Sequence, residues 1–118
     1  AFRIFLDTST ELMEGSKDRE TYQRVFQAVE SVPGAEHPHR TRIRMIGAMY
    51  VVDLDIEVDG DLKVREAHKI AWRTEQAIKD AVGNVYDVLV HVEPLGNVEN
   101  RERFGVSRRK LAREAGRE

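Results

Sequence analysis

Cysteine is absent from the 118 residues, which excludes disulfide scaffolds, thiol catalysis, thiolate zinc sites and iron–sulfur clusters together. Long apolar runs are also missing. None approaches the roughly 20 residues needed to span a bilayer. An excess of charge of one sign is lacking too: 19 Lys+Arg stand against 21 Asp+Glu, a formal net charge of -2, so nothing global favours nucleic acid or anionic lipid. Catalytic signatures are equally scarce. There is no glycine-rich phosphate loop, no serine in a nucleophile elbow and no His-Glu-x-x-His pattern, and an enzyme is not expected. What remains is a chain of one domain's length, with 41% apolar and 34% charged residues, a globular composition with a heavily charged surface. It starts at Ala1 rather than at Met and is expected to be part of something longer.

The charge is divided along the chain. Residues 97–118 hold seven basic and four acidic side chains, while residues 1–96 hold 12 and 17. A mildly acidic body therefore carries a basic polar tail over 96–118. Residues 1–15 read as a linker or the end of an apolar helix, and Gly15-Ser16 as a stop and restart, with Ser16 or Asp18 capping the next helix.

Periodicity predicts an α+β domain. Tyr22, Val25, Phe26 and Val29 mark one helical face that ends at Ser31-Val32-Pro33-Gly34. A strand over 40–46 sets Arg40, Arg42 and Arg44 against Thr41, Ile43 and Met45. After a turn at Gly47-Ala48, a second strand over 49–58 sets Val52, Leu54, Ile56 and Val58 against Val51, Asp53, Asp55 and Glu57. A helix over 64–82 shows a stripe of Ala67, Ile70, Ala71, Thr74 and Ile78, and a third strand lies over 85–93. In that strand Tyr86, Val88, Val90 and Val92 oppose Asp87, Leu89, His91 and Glu93. The order α-β-β-α-β places both helices on one face of a three-stranded mixed sheet and leaves the other face open. Phe104, Val106 and Leu111 offer a short helix in the tail, which reads as an exposed, partly ordered end.

The open face would gather Asp53, Asp55 and Glu57 with His91 and Glu93. Carboxylates crowded in this way repel unless something positive lies among them. Arg42 and Arg44 pairing with Asp53 and Asp55 would supply it. A divalent metal held by imidazole and carboxylate would supply it as well. Ion pairs alone leave the histidines unexplained: His37 and His39 before the first strand, His68 on the second helix, and His91 beside Glu93.

The motifs also carry a resemblance. Ser31-Val32-Pro33-Gly34, then His39, Arg42, Arg44 and Gly47, resembles the start of the cytoplasmic C-terminal domain of cation diffusion facilitator transporters, which reads Val-Pro-Gly-Val, then His-Asp-Leu-Arg-x-Arg and a glycine turn. Residues 52–59 are similar to that family's Val-Asp-x-His-Ile-x-Val-Asp strand, Glu66-Ala67-His68-Lys69-Ile70-Ala71 to its Glu-Ala-His-x-Ile-Ala helix, and Val90-His91-Val92-Glu93-Pro94 to its Val-His-x-Asp/Glu-Pro. Leu12-Met13-Glu14-Gly15 resembles the linker after its last membrane helix.

This resemblance implies a cytosolic regulatory domain over 16–95, metallochaperone-like (ferredoxin-like) in fold, on the cytoplasmic face of a membrane. It would bind a divalent cation (Zn, Fe or Mn) between the protomers of a homodimer, close the dimer and tune proton-coupled transport by a membrane half of the same protein. His39, His68, His91 and Glu93 fall on positions that bind metal in zinc-transporting members, and Asp55 falls where those members have histidine. Oxygen in place of nitrogen would weaken the preference for zinc and suit Fe(II) or Mn(II) better, or leave the site weak. His37 and Asp53 are additional ligand candidates. A metal-independent homodimerisation or protein-interaction module, its fold fixed by Arg42 and Arg44 with Asp53 and Asp55, is the alternative.

Overall fold

The computed structural model describes residues 15–97 and 105–116; the segment expected to be a linker, up to residue 14, and Phe104 lie outside the described residues. Helix α1 spans Gly15–Glu30, so Gly15 and Ser16 are already helical rather than a break. It buries Tyr22, Val25, Phe26 and Val29 as the spacing predicts. Beyond it Gly34 turns the chain at φ 89°, where a Cβ would come within 2.9 Å of Ile70 Cδ1. Glycine serves both needs there.

Strands β1 (Glu36–Ile46), β2 (Met49–Val58) and β3 (Val85–Pro94) form one sheet in the order β1-β2-β3. β1 and β2 are antiparallel. β2 and β3 are parallel, because helix α2 (Val64–Val82) carries the chain back between them. Lys63 N–H donates to the Glu66 carboxylate 3.3 Å away where α2 begins, and Gly83 ends it. β1 starts four residues earlier than alternation suggests. Pro38 is tolerated there because β1 is an edge strand.

Val52, Leu54, Ile56 and Val58 face α1 and α2 and pack with Val25, Val29, Ile78 and Val88. Most of these side chains are fully enclosed, each contributing about 1.5–3 kcal/mol. Met45 at the hairpin end of β1, grouped with Thr41 and Ile43 by alternation, is 55% exposed, and β3 departs from the expected alternation at its start. In β3 a bulge opposite Tyr50 and Val51 lets Val85 take the inward place and leaves Tyr86 66% exposed.

Where it is described, the basic tail keeps Arg108, Arg109, Lys110 and Arg113 exposed but is docked through two apolar residues. Val106 and Leu111 are buried against Tyr22 and Phe26, with Ile43 alongside. Helix α3 (Arg108–Ala115) is capped by the Ser107 hydroxyl, which accepts from Lys110 N–H. Arg108 grips Glu30 through two hydrogen bonds of 2.6 and 2.8 Å. No helix among the described residues is long and apolar enough to cross a membrane.

Candidate metal centre

In-register partners of a sheet share a face, so the outward residues of β2 and β3 can be traced pair by pair. Asp53 lies opposite Leu89, Asp55 opposite His91, and Glu57 opposite Glu93. On the other side Asp53 faces Arg42, and Asp55 faces His39. From Arg42 to His39 is three residues, whereas from Asp53 to Asp55 is two. The difference is a bulge, and a second lies between His39 and Glu36. Arg40 within the first takes a left-handed backbone, φ 46°, and His37 within the second takes φ 52°. Strict alternation would have sent His39 inward with Thr41 and Ile43. The bulge turns it onto the acidic face.

There His39, Asp55 and Glu93 each present a donor atom within 4.8 Å of the others. His39 Nε2 lies 3.1 Å from Glu93 Oε2 and 4.0 Å from Asp55 Oδ2. Side-chain exposures of 12%, 12% and 5% for His39, Asp55 and Glu93 place all three donors under cover. His39 Nδ1 is 2.6 Å from the His37 carbonyl, an oxygen that can only accept, so Nδ1 carries the proton that donates to it. Nε2 is thereby the nitrogen directed at the carboxylates, the arrangement by which an outer hydrogen bond orients a metal-binding imidazole.

Asp55 Oδ2 is buried without a hydrogen-bond partner; Arg40 Nη1 forms an ion pair with it at 3.3 Å without the alignment of a hydrogen bond. An ion with bonds of about 2.0–2.2 Å holds its ligands roughly 3–3.5 Å apart; the observed 3.1 Å separation falls in that range and the 4.0 Å separation lies above it. One imidazole and two carboxylates therefore fit a divalent cation, with the oxygen majority suiting harder ions.

The other candidates are placed differently. His91, on the rim, is 64% exposed and 3.8 Å from Glu93. His68 is exposed on α2, which packs against the opposite face of the sheet, so it does not join the cluster. His37 Nδ1 is 2.7 Å from Glu57 Oε2, and Gly96 N–H donates to Glu57 Oε1 at 2.8 Å. Asp53 is held by Arg42 at 2.9 Å and by Arg44 at 3.1 Å. The expectation that Arg42 and Arg44 divide between Asp53 and Asp55 is thus corrected: both take Asp53, and Arg40 takes Asp55. Sequence pattern does not single out Arg40. Alternation groups it with Arg42 and Arg44, and nothing in the sequence marks the bulge that separates it from them.

Burial is the largest influence on Asp55 and pushes its carboxyl above the ordinary 3.8. Arg40 opposes the shift, and nearby Glu93 adds to it. Burial pushes Glu93 upward as well, but a hydrogen bond with Asn97 and the charge and hydrogen bond of His39 outweigh it. Glu93 settles below its ordinary 4.5. The two contributions to stability have opposite signs. Glu93 stabilises the fold above its ordinary value, and that contribution is lost as pH falls through its lowered one. Ionised Asp55 opposes folding at neutral pH, and the penalty is relieved as pH falls through its raised value. In chelator-treated protein, Asp55→Asn is expected to raise the melting temperature at pH 7, by an increment that shrinks toward pH 4; a lower melting temperature at pH 7 would contradict this.

Known proteins match the same segment. The family model described as the cation efflux protein, cytoplasmic domain, matches residues 18–95. The manganese efflux system protein MneS of Bacillus subtilis is 33% identical over 97 residues, covering 80% of this chain and 32% of that protein. The cation-efflux pump FieF of Pectobacterium atrosepticum is 27% identical over 103 residues, covering 87% and 34%. The chain thus spans about a third of the length of the curated relatives it matches. Among solved structures, the metal-bound C-terminal domain of the CzcD transporter from Thermotoga maritima superposes with a TM-score of 0.69 at 37% identity, over 73% of this chain and 100% of that one.

Proposed function

The chain belongs to the cation efflux family, matching its cytoplasmic domain, and from that premise we propose that it is the metal-responsive regulator of a divalent-cation transporter. The observation that carries the proposal is the buried grouping of His39, Asp55 and Glu93, in which Asp55 Oδ2 lacks a hydrogen bond. Two carboxylates and one imidazole weaken the preference for zinc and accommodate Mn(II) or Fe(II) better than a histidine-rich set does. The likeness to a manganese efflux protein is consistent with that shift.

A second copy of the chain is the partner. The outward face that carries the cluster continues into exposed Ile46, Met49 and Leu89, apolar area that a homodimer would cover. His91 at the rim is placed to complete the coordination from either protomer. Without metal, repulsion between the acidic faces holds the protomers apart. A cation neutralises that charge and favours the closed arrangement by its differential affinity, and closure tunes proton-coupled transport in the membrane half.

The test is a titration of chelator-stripped protein with Mn(II) and Zn(II), monitored by calorimetry and small-angle scattering. Saturable binding, with a smaller margin for Zn(II) over Mn(II) than a histidine-rich site gives and a smaller radius of gyration for the dimer, is expected. Absence of heat with either ion would make the acidic face structural and the domain a metal-independent dimerisation module.

A further inference from the structure

The segment that seats Val106 lies beyond the residues matched by the family model, which ends at 95. It docks on the bulge that builds the metal centre. Thr41 N–H donates to Val106 O at 3.1 Å, and Val106 N–H donates to Thr41 O at 2.8 Å. Thr41 and Val106 form an isolated antiparallel bridge on the outer edge of β1. Gly105, at φ 79°, lies flat on the backbone of Arg40: a Cβ there would meet Arg40 C at 2.4 Å and Cα at 2.6 Å. Arg40 is the residue with the left-handed backbone. Its side chain reaches Asp55, and that of His39 before it reaches Glu93. The segment is anchored independently of the sheet core, through Leu111 among Tyr22 and Phe26 and through Arg108 on Glu30.

A left-handed non-glycine residue persists only where its surroundings hold it. Here the surroundings are Gly105 and Val106. We propose that residues 105–115 are a positioning element for the metal centre: their seating on the Arg40 bulge presents His39 to Asp55 and Glu93, so that metal binding and docking of the segment favour one another. Gly105 and Val106 are its positioning residues. The inference rests on the metal-centre reading and adds a coupling to it. Coupling between two binding events is reciprocal, so it has two independent signatures.

The experiment uses the 118-residue chain, Gly105→Ala and Val106→Pro, the last removing the N–H that reaches Thr41. Mn(II) and Zn(II) affinities are read by calorimetry, retention of the sheet by circular dichroism, and amide exchange at Thr41 and Val106 by NMR with and without Mn(II) or Zn(II), the diamagnetic Zn(II) giving the sharper spectra. Expected are folded variants that bind at least about tenfold more weakly, and slower exchange at both amides of the unmodified chain on adding metal, by a comparable factor. Variants that bind as tightly as the unmodified chain would overturn the coupling while leaving the metal centre standing. An unmodified chain that binds neither ion would remove the metal-centre reading and this inference with it. Should both substitutions unfold the chain, unchanged exchange at Thr41 and Val106 on adding metal overturns the coupling by itself.

Discussion

Asp55→Ala is expected to weaken Mn(II) binding by more than about a hundredfold, since even the outer partners of metal ligands are typically worth 10–100-fold in affinity. Asp55 occupies the middle of the site: His39 lies opposite it on β1 and His91 opposite it on β3, and Arg40 reaches it from the bulge. Its neighbour two residues earlier is the control. Both oxygens of Asp53 are already held, one by Arg42 and one by Arg44, so Asp53→Ala should leave affinity within about threefold. Its cost in stability is that of exposed ion pairs, about 0–1 kcal/mol each. Asp55→His is the informative third variant. Exchanging an oxygen for a nitrogen should widen the margin by which Zn(II) is bound over Mn(II). Calorimetric titration decides all three, and equal affinities for Asp55→Ala and the unmodified protein would refute the site.

The largest loss of stability is expected from Phe26→Ala, about 3–5 kcal/mol for a buried aromatic cut back to a methyl group. Phe26 is fully enclosed where three elements meet. Tyr22 lies one turn earlier with ring centroids 6.3 Å apart, Val106 and Leu111 arrive from the C-terminal segment and Ile43 from β1, and the Arg108 guanidinium stands 6.0 Å above the ring. Domains of this size hold roughly 5–15 kcal/mol in total, so the variant would stand near the edge of folding. Urea unfolding measures it. A loss under about 1.5 kcal/mol would mean that the pocket collapses readily around the vacancy.

The layered fold was legible because its signals are local and repeated. Val52, Leu54, Ile56 and Val58 alternate without fault against their acidic neighbours, and Tyr22, Val25, Phe26 and Val29 keep helical spacing. Asp55 and Glu93 could be assigned to one face on that basis. His39 was left over once the ion pairs were assigned, and the resemblance rather than the strand pattern tied it to Asp55 and Glu93. Its inward phase by simple alternation is reversed by a bulge whose left-handed residue is an arginine rather than a glycine. Arg40 was hidden for the same reason. The docking of the C-terminal segment was hidden for another: Val106 contributes from a single bridge and Leu111 from a separate helix, so their apolar character matches neither a helical nor a strand period.

The first bulge of β1 makes the proposed coordination set depend on backbone phase as well as on residue identity. Removing one residue between His39 and Arg42 would give plain alternation with His39 still opposite Asp55, whereas flattening the bulge at the present count would carry the imidazole to the helix side of the sheet while every ligand stayed in the sequence. A lineage carrying this domain can therefore lose or regain a ligand through whether an edge strand bulges. Aligned sequences that keep the histidine and both acids can still differ in whether they hold an ion. Residue count in that strand, read together with its bulge, is the character to compare among homologues.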